Sequence, residues 1–437
     1  MKQETAKAFL KPTKIIWMII PVAACLIFGT LIGNALGVLD KFPEYDIFLH
    51  LLSGILGVAV GYVFIGTGKK PEDKNGIIFV SFASLCFSAA VTCLSEICEF
   101  LYDFCMGTNY VHVDLLDDGH WFYRLFGKGL TELIPNQQRI LDTDEDILIS
   151  VMAAFAATAV LYIGLRIKHK DLCRKKKKVK AAGKKPCLRN RIIDRLYEEK
   201  EKLDRECSIA DIALWWSVRA VMIYAAFNMV TAEAILLSAN LLGTFSISLL
   251  HILTPRDSMF NRLNYRMQSV ITVIVFLGSW CGNYVFAYGI LPRFDLFLHF
   301  ISGAMSTAAG YFVAKTLIDL KNNSSASSVA MFSFSFSTLV IVSHEIVEFI
   351  GDFIWGTTNQ GFDWGPAPES FFFKVFGQGA GNTELYYLFD TMYDMLLAMS
   401  TTIITTLIIF IFIKASKKQP ARSLGRQNEL VLADKTN

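Results

Sequence analysis

Apolar residues run along this chain in blocks of about twenty or more, parted by short polar or charged stretches. Crossing roughly 30 Å of hydrocarbon takes about 20 residues of helix. The blocks near 15–38, 45–66, 76–101, 146–166, 266–288, 294–316, 328–351 and 394–414 each meet that length. From Leu214 to Leu253 the apolar run is about twice as long, with Glu233 near its middle, which fits a tight hairpin of two spans. The pattern predicts an all-α fold, a polytopic integral membrane helical bundle of about ten transmembrane helices. Lys11, Pro12 and Lys14 precede the first block and no small-residue cleavage site follows, so a retained anchor is expected there.

Composition agrees. Of 437 residues 53% are apolar and 19% charged, with a mean hydropathy of +0.41, where a soluble domain is nearer a quarter charged. The nine cysteines are scattered singly, several within apolar blocks (Cys25, Cys86, Cys93, Cys281). With no CxxC or Cys/His ladder, neither a disulfide framework nor a structural zinc site is expected. The net charge of +3 conceals an asymmetry: fourteen Lys/Arg stand against Asp171 and Asp194 between Arg166 and Arg195. Beside membrane spans such a block reads as a cytoplasmic loop near anionic lipid rather than as a nucleic-acid site. The mixed charges of "LYEEKEKLDRE" after it predict a short solvated helix.

Lysine and arginine set the sides. The N-terminus, 66–75, 166–195, 255–266 and the tail after Ile413 carry basic clusters, whereas the loops 104–145 and 353–393 are acidic and aromatic. Both termini are expected in the cytoplasm and the two long loops outside, in a multi-pass plasma membrane protein. The expected organisation is a first four-span repeat over 1–168, a basic linker over 169–210, a two-span hairpin over 211–255, a second four-span repeat over 256–416, and a tail over 417–437.

The word repeat rests on a constant offset. "DIFLHLLSG" from Asp46 returns as "DLFLHFISG" from Asp295, 249 residues later. At the same offset Gly33-Asn34 meets Gly282-Asn283, His50 meets His299, Gly54 meets Gly303, Glu96 meets Glu345, Glu99 meets Glu348, and Asp103 meets Asp352. Beyond the outer loop the offset slips to 248, pairing Asp142 with Asp390 and Asp146 with Asp394. This is a tandem duplication of one membrane unit in parallel orientation. The shared positions carry chemistry. Each unit has Asp and His at i,i+4 on its second span, Glu, Glu and Asp at i, i+3, i+7 on its third, and two Asp at i,i+4 on its fourth, each set on one helical face. A charged carboxylate at mid-bilayer costs about 2.5–3.5 kcal/mol. These groups are therefore expected to converge into one inward-facing polar site per repeat, near the outer ends of the helices.

Helix capping accounts for Asp46, Asp142 and Asp390 at span starts, but not for Glu96, Glu99 and His50, a turn or more inside. Three uses remain. Carboxylates with one imidazole, His50 or His299, suit a divalent metal ion. The same groups suit an enzyme, with histidine as base or metal ligand; Arg124 and Lys374, in the matched "FYRLFGKG" and "FFKVFGQG", would each contact an anion. Intramembrane acids in duplicated halves also suit ion- or proton-coupled transport. His344 has Ser95 as its counterpart and reads as a packing residue outside the shared set. "HWFYRLF" and "SFFFKVF" read as aromatic anchors at the headgroup level.

Each half resembles the YjdF-like family of bacterial membrane proteins, on "DIFLHLLSG" and "DLFLHFISG", "SEICEF" and "HEIVEF", "LDTDEDILISVMAA" and "FDTMYDMLLAM". The second half, with "DTMYDM", is the nearer match. The order Asp, His, Glu, Asp is more distantly similar to the VanZ-like proteins, associated with glycopeptide resistance at the cell surface. The resemblance implies a bacterial inner-membrane protein and names no reaction. The combined expectation is two outward-facing Asp/His/Glu sites that bind a cation and serve chemistry on an envelope lipid-linked substrate. Ion-coupled transport and a structural scaffold stay open as alternatives.

Overall fold

The computed structural model describes residues 44–66, 74–106, 141–168, 188–228, 232–254, 261, 264–277, 294–317, 325–355 and 389–434. Among them every regular element is a helix: α1 (Glu44–Gly61, continued by one π-helical turn, Tyr62–Gly66), α2 (Lys74–Met106), α3 (Leu141–Lys168), α4 (Leu188–Glu206), α5 (Ile209–Asn228), α6 (Ala232–Leu253), α7 (Tyr265–Phe276), α8 (Phe294–Leu317), α9 (Ala326–Trp355) and α10 (Phe389–Asp434). Six of these contain stretches long and apolar enough to cross a bilayer: Tyr45–Ile65, Gly76–Asp103, Thr143–Lys168, Leu296–Lys315, Ala326–Gly351 and Asp390–Ser416. They coincide with six of the expected blocks. The first block, 15–38, most of the outer loops, and Arg124 and Lys374 lie outside the described residues.

The six helices form two three-helix groups, α1–α2–α3 and α8–α9–α10, in each of which every helix packs on the other two. Small residues permit the close approach. A Cβ on Gly54 would strike the backbone carbonyl of Ser150, and one on Gly303 would strike that of Ala398. Gly61 sits against Ser84 and Phe87, and Gly310 against Ser333 and Phe336. These are corresponding positions of the two units, so the duplication extends to backbone contacts. Where lipid supplies no hydrophobic drive between helices, this small-residue packing is the main source of association.

The groups meet through α2 and α9, the most enclosed of the six, with 72% and 56% of their apolar windows buried against 22–28% for the others. At one end Phe79 packs on Phe332 with rings tilted at 46° and centroids 4.9 Å apart, and Phe82 packs edge-on to Phe332 and Phe336. At the other, Cys93, Ile97, Phe100, Ile147 and Val151 share one core with Ile341, Val342, Met392, Met395 and Met399. Early residues of α2 thus meet early residues of α9, and late meet late, so the two units run parallel. The outer four helices turn Phe48, Leu51, Met152, Phe155, Phe297, Phe300, Ile404 and Ile408 outward, as a lipid-facing surface requires.

The run from 214 to 253 forms two packed helices, α5 and α6, joined by residues 229–231. α4 precedes them at a 110° bend after Glu206. There Ser208 Oγ accepts from the Asp211 N–H at 3.2 Å, while Asp211 Oδ2 accepts from the Ser208 N–H at 2.8 Å, a reciprocal cap that starts α5. The expectation of a wholly solvated α4 needs correction, because Glu199 is buried. Its carboxylate accepts from Lys202 (3.1 Å), Asn261 (3.1 Å) and Tyr265 (3.0 Å) and lies 2.8 Å from His251 Nε2 and 3.4 Å from Arg195 Nε. Arg195 in turn donates to the carbonyls of Ile252 and Thr254 at the end of α6. A mixed-charge pattern shows only the partners on α4 itself, Arg195 and Lys202; His251, Asn261 and Tyr265 come from elsewhere in the chain.

Candidate functional site

In the first unit α1, α2 and α3 bring one imidazole among three carboxylates. His50 Nε2 lies 3.4 Å from Asp146 Oδ2 and 3.8 Å from Asp46 Oδ1, and Nδ1 lies 3.6 Å from Glu96 Oε1. The i,i+4 spacing stacks Asp46 under His50 on α1, and the neighbouring helices supply the rest. Ser150, one turn beyond Asp146, has its Oγ 3.5 Å from His50 Nδ1 and donates to the His50 carbonyl at 3.0 Å. Ser53 donates to the same carbonyl at 2.9 Å, and Ser88 to the Gly54 carbonyl at 2.8 Å. Asp46, His50 and Asp146 each offer a ligand atom, all within 4.8 Å of one another.

The second unit repeats the plan with α8, α9 and α10. His299 Nε2 lies 3.4 Å from Asp394 Oδ2, and Nδ1 lies 4.0 Å from Glu345 Oε1. Ser302 donates to the His299 carbonyl at 2.9 Å, as Ser53 does to His50. The arrangement then diverges. His344, expected to be a packing residue, is 56% exposed at its side chain; its ring stands 5.5 Å from that of His299 and its Nδ1 lies 3.4 Å from Glu348 Oε1. His299, His344 and Glu345 offer ligand atoms within 4.8 Å of one another. Position alone could not bring His344 in, because its counterpart is a serine and no repeat signal marks it.

Glu96, Asp146, His299, Glu345 and Asp394 are buried, and the core packing places both clusters at the same end of the bundle. Glu99 belongs to the first site's surroundings: it accepts from Ser95 Oγ at 3.4 Å and interacts electrostatically with Asp46 and Asp103. Asp103 is fully buried, and Asp390 lies half-buried in the first turn of α10. The side chains of Asp142, Asp295 and Asp352 fall outside the described residues. Sequence spacing missed Ser150, and also Asp144 and Glu145, both buried on α3 where the second unit has Met392 and Tyr393. The four-acid run from Asp142 to Asp146 signalled them without saying which would turn inward.

Below the second site lies a lattice of hydroxyls with little counterpart in the first. The Gly303 carbonyl accepts from Thr307 (2.6 Å), Ser337 (3.1 Å), Ser306 (3.3 Å) and Thr402 (3.3 Å), and the Oγ atoms of Ser306, Ser337 and Thr402 follow one another at 2.6 and 2.8 Å. In the first unit Gly57, Val58 and Ala154 stand where Ser306, Thr307 and Thr402 are.

No curated protein and no solved structure matches this chain. A family model described as "Predicted membrane protein (DUF2238)" matches it over residues 4–166 and again over 210–415, each segment holding one of the two clusters and the interval between them holding the basic stretch and α4. The chain, an all-helical multi-pass membrane protein of two related units, therefore belongs to the DUF2238 family of predicted membrane proteins.

Proposed function

We propose that this protein binds a divalent cation at two outward-facing sites, and that the cation serves either chemistry on a lipid-linked envelope substrate or its own transport. One observation carries the reading: in both units three packed helices aim the repeated histidine, His50 or His299, between carboxylates, which membrane burial disfavours unless a cation or proton neutralises them. Oxygen and imidazole donors together suit zinc or manganese. The outward direction rests on the lysine and arginine bias of the opposite loops, and the bacterial inner membrane on the resemblance to YjdF-like and VanZ-like proteins. Proton- or ion-coupled transport is the second reading, favoured by the hydroxyl chain Ser306–Ser337–Thr402 leading away from the second site.

The test is metal content. Chelator-washed protein, reloaded with Zn²⁺ and Mn²⁺ together and desalted, is expected to retain close to two equivalents of divalent metal in total, and the double variant His50→Ala/His299→Ala to retain none. Metal-free wild type would overturn the cation reading in favour of proton chemistry.

A further inference from the structure

The two clusters have diverged in ligand type. In the first, one imidazole sits among three carboxylates; in the second, a further imidazole enters from α9. Metal-ligating histidines generally have their second ring nitrogen held by a carboxylate or carbonyl. Both histidines of the second cluster meet that requirement. Asp394 lies 3.4 Å from His299 Nε2 while Nδ1 faces Glu345 at 4.0 Å, and Glu348 lies 3.4 Å from His344 Nδ1, so that Nε2 is the nitrogen that would ligate. Ligand atoms around tetrahedral zinc sit about 3.3 Å apart, given Zn–N and Zn–O bonds of about 2.0–2.1 Å. The present separations of up to 4.8 Å need a contraction: rotation of the exposed His344 side chain can shorten its own distances, and His299 Nδ1 and Glu345 Oε1, 4.0 Å apart, must close by about 0.7 Å.

We infer that the second unit alone holds a zinc-class site, with His299, His344 and Glu345 as ligands and Glu348 and Asp394 as their orienting partners, and that residue 344 is what separates it from the first. Three protein ligands leave a fourth position open, the coordination of catalytic rather than structural zinc sites. The first site, with one imidazole among carboxylates, is the harder-cation site by donor set. This rests on the reading of both clusters as cation-binding. Ser95 occupies the place of His344, and its surroundings already hold His50, Glu96, Glu99 and Asp146 where the second unit has His299, Glu345, Glu348 and Asp394. One substitution should build the missing site.

The experiment uses full-length protein in detergent, with Zn²⁺ titrated against a chelating dye and Co²⁺ absorption reporting coordination. Wild type is expected to bind one tight Zn²⁺. His344→Ser should weaken that site by more than the roughly 10- to 100-fold that loss of an orienting partner costs, and Glu348→Gln by an amount within that range. Ser95→His should raise the tight stoichiometry from one to two. Residues 344 and 95 are exposed, so melting temperatures of these variants should stay near wild type. Two equal tight sites in wild type, unmoved by His344→Ser, would overturn the inference and leave the cation reading standing. No Zn²⁺ or Co²⁺ binding to any form would overturn both.

Discussion

A glycine decides how near two helices can come, and here the same glycine decides it twice. At Gly54 and Gly303 an added methyl would meet a backbone carbonyl, which cannot turn aside. Gly54→Ala and Gly303→Ala are each expected to destabilise by about 1–3 kcal/mol through overpacking, read as a lowered melting temperature in detergent and as weakened metal retention, because His50 and His299 lie one turn away. Gly164→Ala is the control. Nothing lies within 4 Å of its added carbon, so the substitution should be neutral or stabilise by about 0.5–1 kcal/mol from helix propensity. The identities of the paired glycines, histidines and acids were all legible in the sequence, because a constant offset marks what the two units share. Ser150 and His344 were not. Each differs from its counterpart, and what brings either to a histidine is the packing of a neighbouring helix.

At the scale of elements, α4 shows how little a charge pattern says about burial. Its periodicity is that of a solvated helix, yet Glu199 anchors it to His251 of α6, Tyr265 of α7 and Asn261, besides its contacts with Lys202 and Arg195 on α4 itself. Burial alone would raise the Glu199 carboxyl, but hydrogen bonds from Lys202, Tyr265 and Asn261 and the charge of His251 outweigh it and hold the group below the ordinary glutamate range. A carboxyl depressed in the folded state contributes stability above its unfolded value, and that contribution is lost as pH falls through the folded value. Docking of α4 is therefore expected to be undiminished at neutral pH and to weaken on acidification below about pH 4.3. Hydrogen exchange across 188–206 as a function of pH measures it. Glu199→Gln should remove the acid dependence and cost about 1–3 kcal/mol, since charge-assisted hydrogen bonds are replaced by neutral ones.

For the whole molecule the decisive surface is the α2–α9 contact, which sets two units side by side with their clusters at one end. Phe332, fully buried between Phe79, Phe82 and Phe336, is its anchor at the opposite end. Phe332→Ala is expected to cost about 3–5 kcal/mol. Since the lost contacts with Phe79 and Phe82 are between units, limited proteolysis should separate the halves while metal retention at each cluster persists; loss of binding together with stability would show that the clusters depend on the interface. What the sequence by itself determined follows from local and repeated signals. Apolar block lengths dictate membrane helices because the bilayer has a fixed thickness and cannot satisfy a bare backbone. A constant offset dictates duplication, and helical spacing dictates which acids share a face. Only the tertiary structure decided which faces meet, because lipid is as apolar as the side chains and leaves the choice to close packing and interhelical hydrogen bonds. That choice brought Ser150 to His50, His344 to His299, a fuller hydroxyl lattice to the second unit, and Glu199 into a buried network.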